Sequence, residues 1–222
     1  MTIEAVIFDF GGVIVPGSPT GDDPNSPMAL LEREHGLPTG FLWPAVYLNN
    51  PGWLQLRVGE GSYDAWDVLS RDAIAAISNM ETATVVVAAL SAARPQGPGL
   101  RNKQPEFNEG MLPLIGRLRT RYRVGLLSNA APGLEDELRD HYKIHDLFHD
   151  VINSATVRLA KPDPAIYRLA AERIGLPIDA CFFVDDLAHN IASARETGMT
   201  AHQFTGYAGL AEALRTAGVT PD

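Results

Sequence analysis

Glu4-Ala5-Val6-Ile7-Phe8-Asp9-Phe10-Gly11-Gly12-Val13-Ile14 is an apolar run interrupted by one carboxylate and two glycines. Residues 4–10 are rich in β-branched and aromatic side chains with no polar alternation. They read as a strand buried on both faces, as inside a parallel sheet. Open α/β sheets take their ligands at the carboxyl ends of strands. Asp9 stands at that end, and the glycines after it let backbone crowd a ligand. The pattern predicts a reactive carboxylate whose partners must come from later in the chain.

Further strand signals recur at 123–128, 150–153, 180–185 and 200–204, with helical patterns between the later ones. Met111, Leu112, Leu114, Ile115 and Leu118 carry helical spacing ahead of Arg123-Val124-Gly125-Leu126-Leu127. Asp163-Pro164 pairs an N-cap with a proline at the first helical position and opens a helix reaching about Ile174, before Gly175. Leu187 to Glu196 reads as a helix closed by Gly198. Alternating strands and helices imply βαβ units, and so an α/β fold with a Rossmann-like parallel sheet.

One stretch breaks the alternation. From Val15 to about Ala93 there is no strand signal, only helical segments near 27–35, 39–49, 62–78 and 82–92, and all three tryptophans (Trp43, Trp53, Trp66) fall there. Pro16-Gly17-Ser18-Pro19 and Pro95-Gln96-Gly97-Pro98-Gly99 read as the linkers out and back. The expected organisation is a core of residues 1–15 and 106–222, with an inserted all-helical cap over 16–105 that covers the carboxyl end of the first strand.

The 222 residues suit such a core with an insertion. Eighteen basic residues against 27 acidic ones give −9, which argues against nucleic acid or an anionic membrane as partner, since both demand a basic footprint. No run of 18 apolar residues and no basic leader is present. The single cysteine, Cys181, lies in Ala180-Cys181-Phe182-Phe183-Val184 and reads as a core thiol. A cytoplasmic protein acting on a small molecule is expected; oligomeric state has no signal in the sequence.

Four positions share a grammar, each at or just past the carboxyl end of an expected strand. They are Asp9, Ser128-Asn129, Lys161 in Ala160-Lys161-Pro162-Asp163-Pro164, and Asp185-Asp186. Taken singly, each has an ordinary explanation. Ser128-Asn129 could cap a helix, and Lys161 could be a solvated loop charge, although it is one of only three lysines beside fifteen arginines. Asp185-Asp186 is harder to dismiss. Adjacent carboxylates repel at the end of an apolar strand, and a divalent cation is the common remedy. Together the four can serve phosphoryl transfer: a carboxylate nucleophile, acidic ligands for a cation, and a hydroxyl and lysine for the remaining phosphoryl oxygens.

At this point the chain resembles the haloacid dehalogenase-like hydrolases. Phe8-Asp9-Phe10-Gly11-Gly12-Val13-Ile14, Leu127-Ser128-Asn129, Lys161-Pro162-Asp163-Pro164-Ala165-Ile166-Tyr167 and Phe183-Val184-Asp185-Asp186-Leu187 with Asn190 match that family's four motifs in order and spacing. The insertion resembles the helical cap of one large subgroup. Within it the chain is similar to the phosphatase-like domains of soluble epoxide hydrolase and of some acyl-CoA dehydrogenase fusions. The resemblance implies a phosphatase in which Asp9 attacks phosphorus on a small phosphorylated metabolite. It implies Mg²⁺ held by Asp9, the Gly11 carbonyl, Asp185 and Asp186, and a phosphoryl group held by Ser128, Lys161, Asn129 and the Gly12 amide. Lys161 would also offset the charges of Asp9 and Asp185.

The chain departs from the family pattern at Gly11, where most of these phosphatases carry a second Asp as general acid and base. His189, shortly after Asp186, is one candidate substitute. Two rival readings stay open. A 2-haloacid dehalogenase also uses an Asp nucleophile but needs no metal, so the acidic pair argues against it. A non-catalytic domain binding a phosphorylated ligand is the other, with Gly11 as its main support.

Overall fold

β1 (Ala5–Phe8) is wholly buried and lies at the centre of a five-stranded parallel sheet. β2 (Arg123–Ser128), β3 (Asp150–Asn153), β4 (Cys181–Asp185) and β5 (Thr200–Gln203) complete it, in the spatial order β3-β2-β1-β4-β5. All five strands fall where the sequence places them. The computed structural model describes residues 2–17, 24, 26–92 and 104–220. The linker at 95–99, and residues 18 and 19 of the outgoing one, lie outside the described residues. The chain divides into two compact units, Met1–Gly17 with Glu106–Asp222, and Ser18–Pro105.

The second unit has helices as its only regular elements among the described residues. It comprises α1 (Pro27–Glu34), a π-helical turn over Pro44–Leu48, α2 (Pro51–Leu56), α3 (Tyr63–Ala75) and α4 (Met80–Ala92). The helix expected near 39–49 is shorter than its periodicity suggests. Pro38 and Gly40, the latter at φ +76°, form a turn, and Pro44 restarts the backbone. α2 escaped the periodicity reading although Asn50-Pro51 is a start signal; the Asn50 carboxamide oxygen accepts the Gly52 and Trp53 N–H groups at 2.9 and 3.3 Å. Tyr47, Trp53 and Trp66 pack ring against ring, with centroids 4.8–5.2 Å apart, and Trp43 stacks on Tyr47 at 4.6 Å. The Trp66 indole N–H donates to the Val46 carbonyl at 2.6 Å. The tryptophans therefore form this unit's own core.

In the first unit the helices are α5 (Met111–Leu118), α6 (Leu134–Asp140), α7 (Ser154–Val157), α8 (Pro164–Ile174), α9 (Ala188–Glu196) and α10 (Tyr207–Thr216). Side chains alternate across the sheet. Val6, Phe8, Val124, Leu126, Phe182 and Val184 face one core with α5, α6 and α10, while Ala5, Ile7, Leu127, Cys181 and Phe183 face another with α8 and α9. Burial on both faces explains why β1 and β4 read as unbroken apolar runs. Gly125 is the gap in β2. A Cβ there would meet Ile174 Cδ1 at 2.9 Å, so its absence lets α8 pack close. The sheet brings its carboxyl ends, and the residues that follow them, to one edge.

Candidate active site

The strand register sets the site. Phe8 lies opposite Leu126 and Val184, so Asp9 follows level with Leu127 and Asp185. The Asp9 N–H still donates to the Val184 carbonyl at 2.8 Å, and the Phe10 N–H donates to Asp9 Oδ1 at 2.7 Å. Lys161 reaches in from the segment between α7 and α8 and is 1 % exposed. Its ammonium donates to Asp9 Oδ1 at 2.8 Å, Asp185 Oδ2 at 2.7 Å and the Leu127 carbonyl at 3.0 Å. That accounts for all three of its protons.

Asn129 fixes where Lys161 sits. Its Nδ2 donates to the Lys161 carbonyl and its Oδ1 accepts the Lys161 N–H, both at 2.8 Å. The capping alternative for Ser128-Asn129 does not hold, because α6 begins only at Leu134, behind Gly133. Ser128 closes β2 and is 5 % exposed.

The two acids at the end of β4 are in different circumstances. Asp185 is fully buried and saturated: Oδ1 accepts the Leu187 N–H at 2.8 Å, Oδ2 accepts Lys161, and Asn190 Nδ2 lies 3.0 and 3.1 Å from the two oxygens. Tyr167 Oη donates to the Asn190 carbonyl at 3.0 Å and steadies that residue. Asp186, by contrast, has a buried Oδ1 with no hydrogen-bond partner. One oxygen from each of Asp9, Asp185 and Asp186 lies within 4.8 Å of the others.

Backbone shape matters most at Gly12. Its φ is +77°, and a Cβ would stand 2.3 Å from Asp186 Oδ2, so only glycine leaves the acid its place. Gly11 is the opposite case: a Cβ there meets nothing within 4 Å. The Gly12 N–H donates to the Val15 carbonyl at 3.0 Å, so it closes the turn. Asn108 ties this turn down, its Nδ2 donating to the Val13 carbonyl at 2.9 Å and the Gly12 carbonyl at 3.3 Å. Sequence reasoning missed Asn108, which sits in an irregular polar stretch with no periodic or motif signal. His189 is exposed on the first turn of α9.

Burial pushes Asp9 up to about 8 against the pull of Lys161, with Asp185 and Asp186 adding to the rise. Burial, then Asp185, pushes Asp186 up to about 6. Burial also works against the Lys161 ammonium, but Asp185 and Asp9 outweigh it and hold that group above its ordinary range. Three carboxylates and one ammonium amount to −2 when all are ionised, an imbalance that a buried cluster resists. One divalent cation would cancel it. The orphaned Asp186 Oδ1 and an all-oxygen donor set suit a hard ion such as Mg²⁺.

A carboxylate held by a buried lysine thus stands beside two further acids at the carboxyl edge of a parallel sheet. The family model for haloacid dehalogenase-like hydrolases matches residues 3–198, and the chain belongs to that family. It is 41% identical to a phosphatase of Mycobacterium tuberculosis over 59 residues, 27% of each chain, so the match spans about a quarter of that relative. It is 32% identical to the (S)-2-haloacid dehalogenase of a Pseudomonas species over 76 residues, 34% of this chain and 33% of the other. It is 25% identical to the glyceraldehyde 3-phosphate phosphatase of Methanopyrus kandleri over 199 residues, 89% of this chain and 82% of the other. Among solved structures, a haloacid dehalogenase family enzyme of Bacteroides thetaiotaomicron, in complex with magnesium and inorganic phosphate, aligns with TM-score 0.56 and 19% identity. That alignment covers 92% of this chain and 95% of the other, and at such identity it speaks to the fold alone.

Proposed function

We propose that the chain is a magnesium-dependent phosphatase that hydrolyses a phosphomonoester of a small metabolite through an aspartyl phosphate on Asp9. The observation that carries this reading is the meeting of Asp9, Asp185 and Asp186 around one point, with Lys161 bonded to two of them. Asp9 Oδ1 is engaged by Lys161 and the Phe10 N–H, which leaves Oδ2 as the attacking atom. In the first step Oδ2 bonds to phosphorus as the bond to the alcohol oxygen breaks. In the second, water attacks that phosphorus, releases inorganic phosphate and restores the carboxylate.

Lys161 aims Asp9 and pulls its carboxyl toward the ionised form against the burial that raises it, and the Ser128 hydroxyl binds a phosphoryl oxygen. Asn129 fixes the lysine's backbone, Asp185 orients its ammonium, and Gly12 leaves room for Asp186. Held by Asp9, Asp186 and the Gly11 carbonyl, with Asp185 beside them, Mg²⁺ would neutralise the incoming phosphoryl charge. No described helix is long and apolar enough to cross a membrane, and the buried Cys181 suits a reducing cytoplasm.

Phosphate release from a panel of phosphorylated metabolites tests the reading. Release should stop with a chelator, return with Mg²⁺, and vanish in Asp9→Asn. Activity that survives either the chelator or the substitution sinks it. The metal-free dehalogenase reading is disfavoured because displacement at carbon leaves this acidic cluster unbalanced. Halide release from a 2-haloacid in chelator would revive it.

A further inference from the structure

At the opposite end of the sheet from Asp9, the chain crosses from α5 into β2 as Arg117-Leu118-Arg119-Thr120-Arg121-Tyr122-Arg123, with an arginine at every second position. Arg119, Arg121 and Arg123 line an open depression of about 340 Å³, together with Glu4, His149 and the apolar Leu176. Its frame is tied into the sheet. The Arg123 N–H donates to the Glu4 carbonyl at 3.0 Å, and the His149 N–H donates to the Val124 carbonyl at 2.7 Å. The Val124 N–H in turn donates to His149 Nδ1 at 2.9 Å. Because Nδ1 accepts, the ring's proton sits on Nε2, which becomes a donor.

Arg119 and Arg123 bring two guanidinium groups beside one lining carboxylate, Glu4, in a protein whose overall charge is −9. Neither Arg119 nor Arg123 has an ion-pair partner among the described residues, whereas Arg121 reaches Thr220 Oγ1 at 3.4 Å. Like charges gathered in one depression repel, and a multiply charged anion relieves that repulsion. Guanidinium forks match phosphate oxygens in pairs. Arginines spaced two apart along the chain suit several linked anionic groups better than one point charge. The volume is that of a small-molecule site, too small for a folded partner.

We propose that this depression binds a small oligophosphate, either pyrophosphate or the phosphate chain of a nucleotide, independently of the catalytic site. Calorimetric titration of the full chain with pyrophosphate and with ADP, without added divalent cation, tests it. Binding should be retained in Asp9→Asn and weakened tenfold or more in Arg119→Gln/Arg123→Gln, whose exposed side chains can be replaced without unfolding the protein. ADP binding more tightly than pyrophosphate identifies a nucleotide as the ligand. Equal affinity identifies the bare phosphate chain. Affinity unchanged within twofold in the double variant overturns the proposal. So does binding lost in Asp9→Asn, or no binding at millimolar pyrophosphate.

Discussion

Two adjacent glycines should respond in opposite ways to the same added methyl group. In Gly12→Ala the new Cβ would stand 2.3 Å from Asp186 Oδ2 and 2.6 Å from its Cγ, whereas ordinary contact begins near 3.4 Å. Something must therefore yield by roughly 1 Å, and the Gly17 carbonyl at 3.0 Å closes the other direction. Asp186 is the mobile partner, and moving its Oδ2 and Cγ turns the whole carboxylate, including the Oδ1 that has no hydrogen bond. A misplacement of about 1 Å in such a group lowers turnover on the order of 10²-fold. The left-handed backbone adds about 1–2 kcal/mol of strain for any residue with a Cβ. Gly11→Ala meets nothing within 4 Å and should change neither stability nor rate appreciably. Urea unfolding, Mg²⁺ affinity by calorimetry and Mg²⁺-dependent phosphate release, measured on both variants, separate the two. Full Mg²⁺ affinity and turnover in Gly12→Ala would refute the place given to Asp186. Equal damage from Gly11→Ala would refute the steric reasoning.

Three further outcomes are expected. Lys161→Met leaves Asp9 and Asp185 buried without their common cation, and should destabilise the metal-free protein by about 3–5 kcal/mol in urea unfolding; a loss below 1 kcal/mol contradicts the pairing. Gly11→Asp meets no obstacle at its Cβ and restores the family's usual second acid. Where leaving-group or water protonation limits the rate, turnover of alkyl phosphates should rise on the order of 10²-fold or more. Rapid-quench measurement should then show less accumulated aspartyl phosphate than in the parent, and an unchanged level would show that another group moves the proton. On α6, burial followed by Glu135 and Asp136 raises Glu137 from 4.5 to about 7. A raised carboxyl pKa favours the folded state below pH 4.5, and that advantage is lost as pH climbs to about 7. Allowing for the solvent that reaches this partly exposed group, Glu137→Gln should stabilise the protein by about 1 kcal/mol at pH 8 and by nothing measurable at pH 4. Equal effects at both pH values would count against it.

The linear chain disclosed the parallel sheet because strands covered on both faces must be apolar at every position, as residues 5–8 and 181–184 are. It disclosed the αβ order because Asp163-Pro164 and Gly175 mark helix ends by local chemistry alone. It named Asp9, Ser128, Lys161 and the Asp185-Asp186 pair because strand ends announce themselves where an apolar run stops. Short polar helices such as α6 stayed hidden, since charged residues on a single two-turn helix leave little periodicity. Which job each polar atom does was decided only by tertiary structure. Asp185 is spent on Lys161, Asn190 and the Leu187 N–H while its neighbour Asp186 keeps an unpaired oxygen, and Asn129 clamps a backbone rather than capping a helix. Several of the hydrogen bonds that set such roles join distant residues, 24 positions apart in Lys161–Asp185, 32 in Asn129–Lys161 and 96 in Asn108–Gly12. Local sequence carries the tendency of a segment to be strand or helix, whereas the partner of a buried polar atom exists only once distant segments have met.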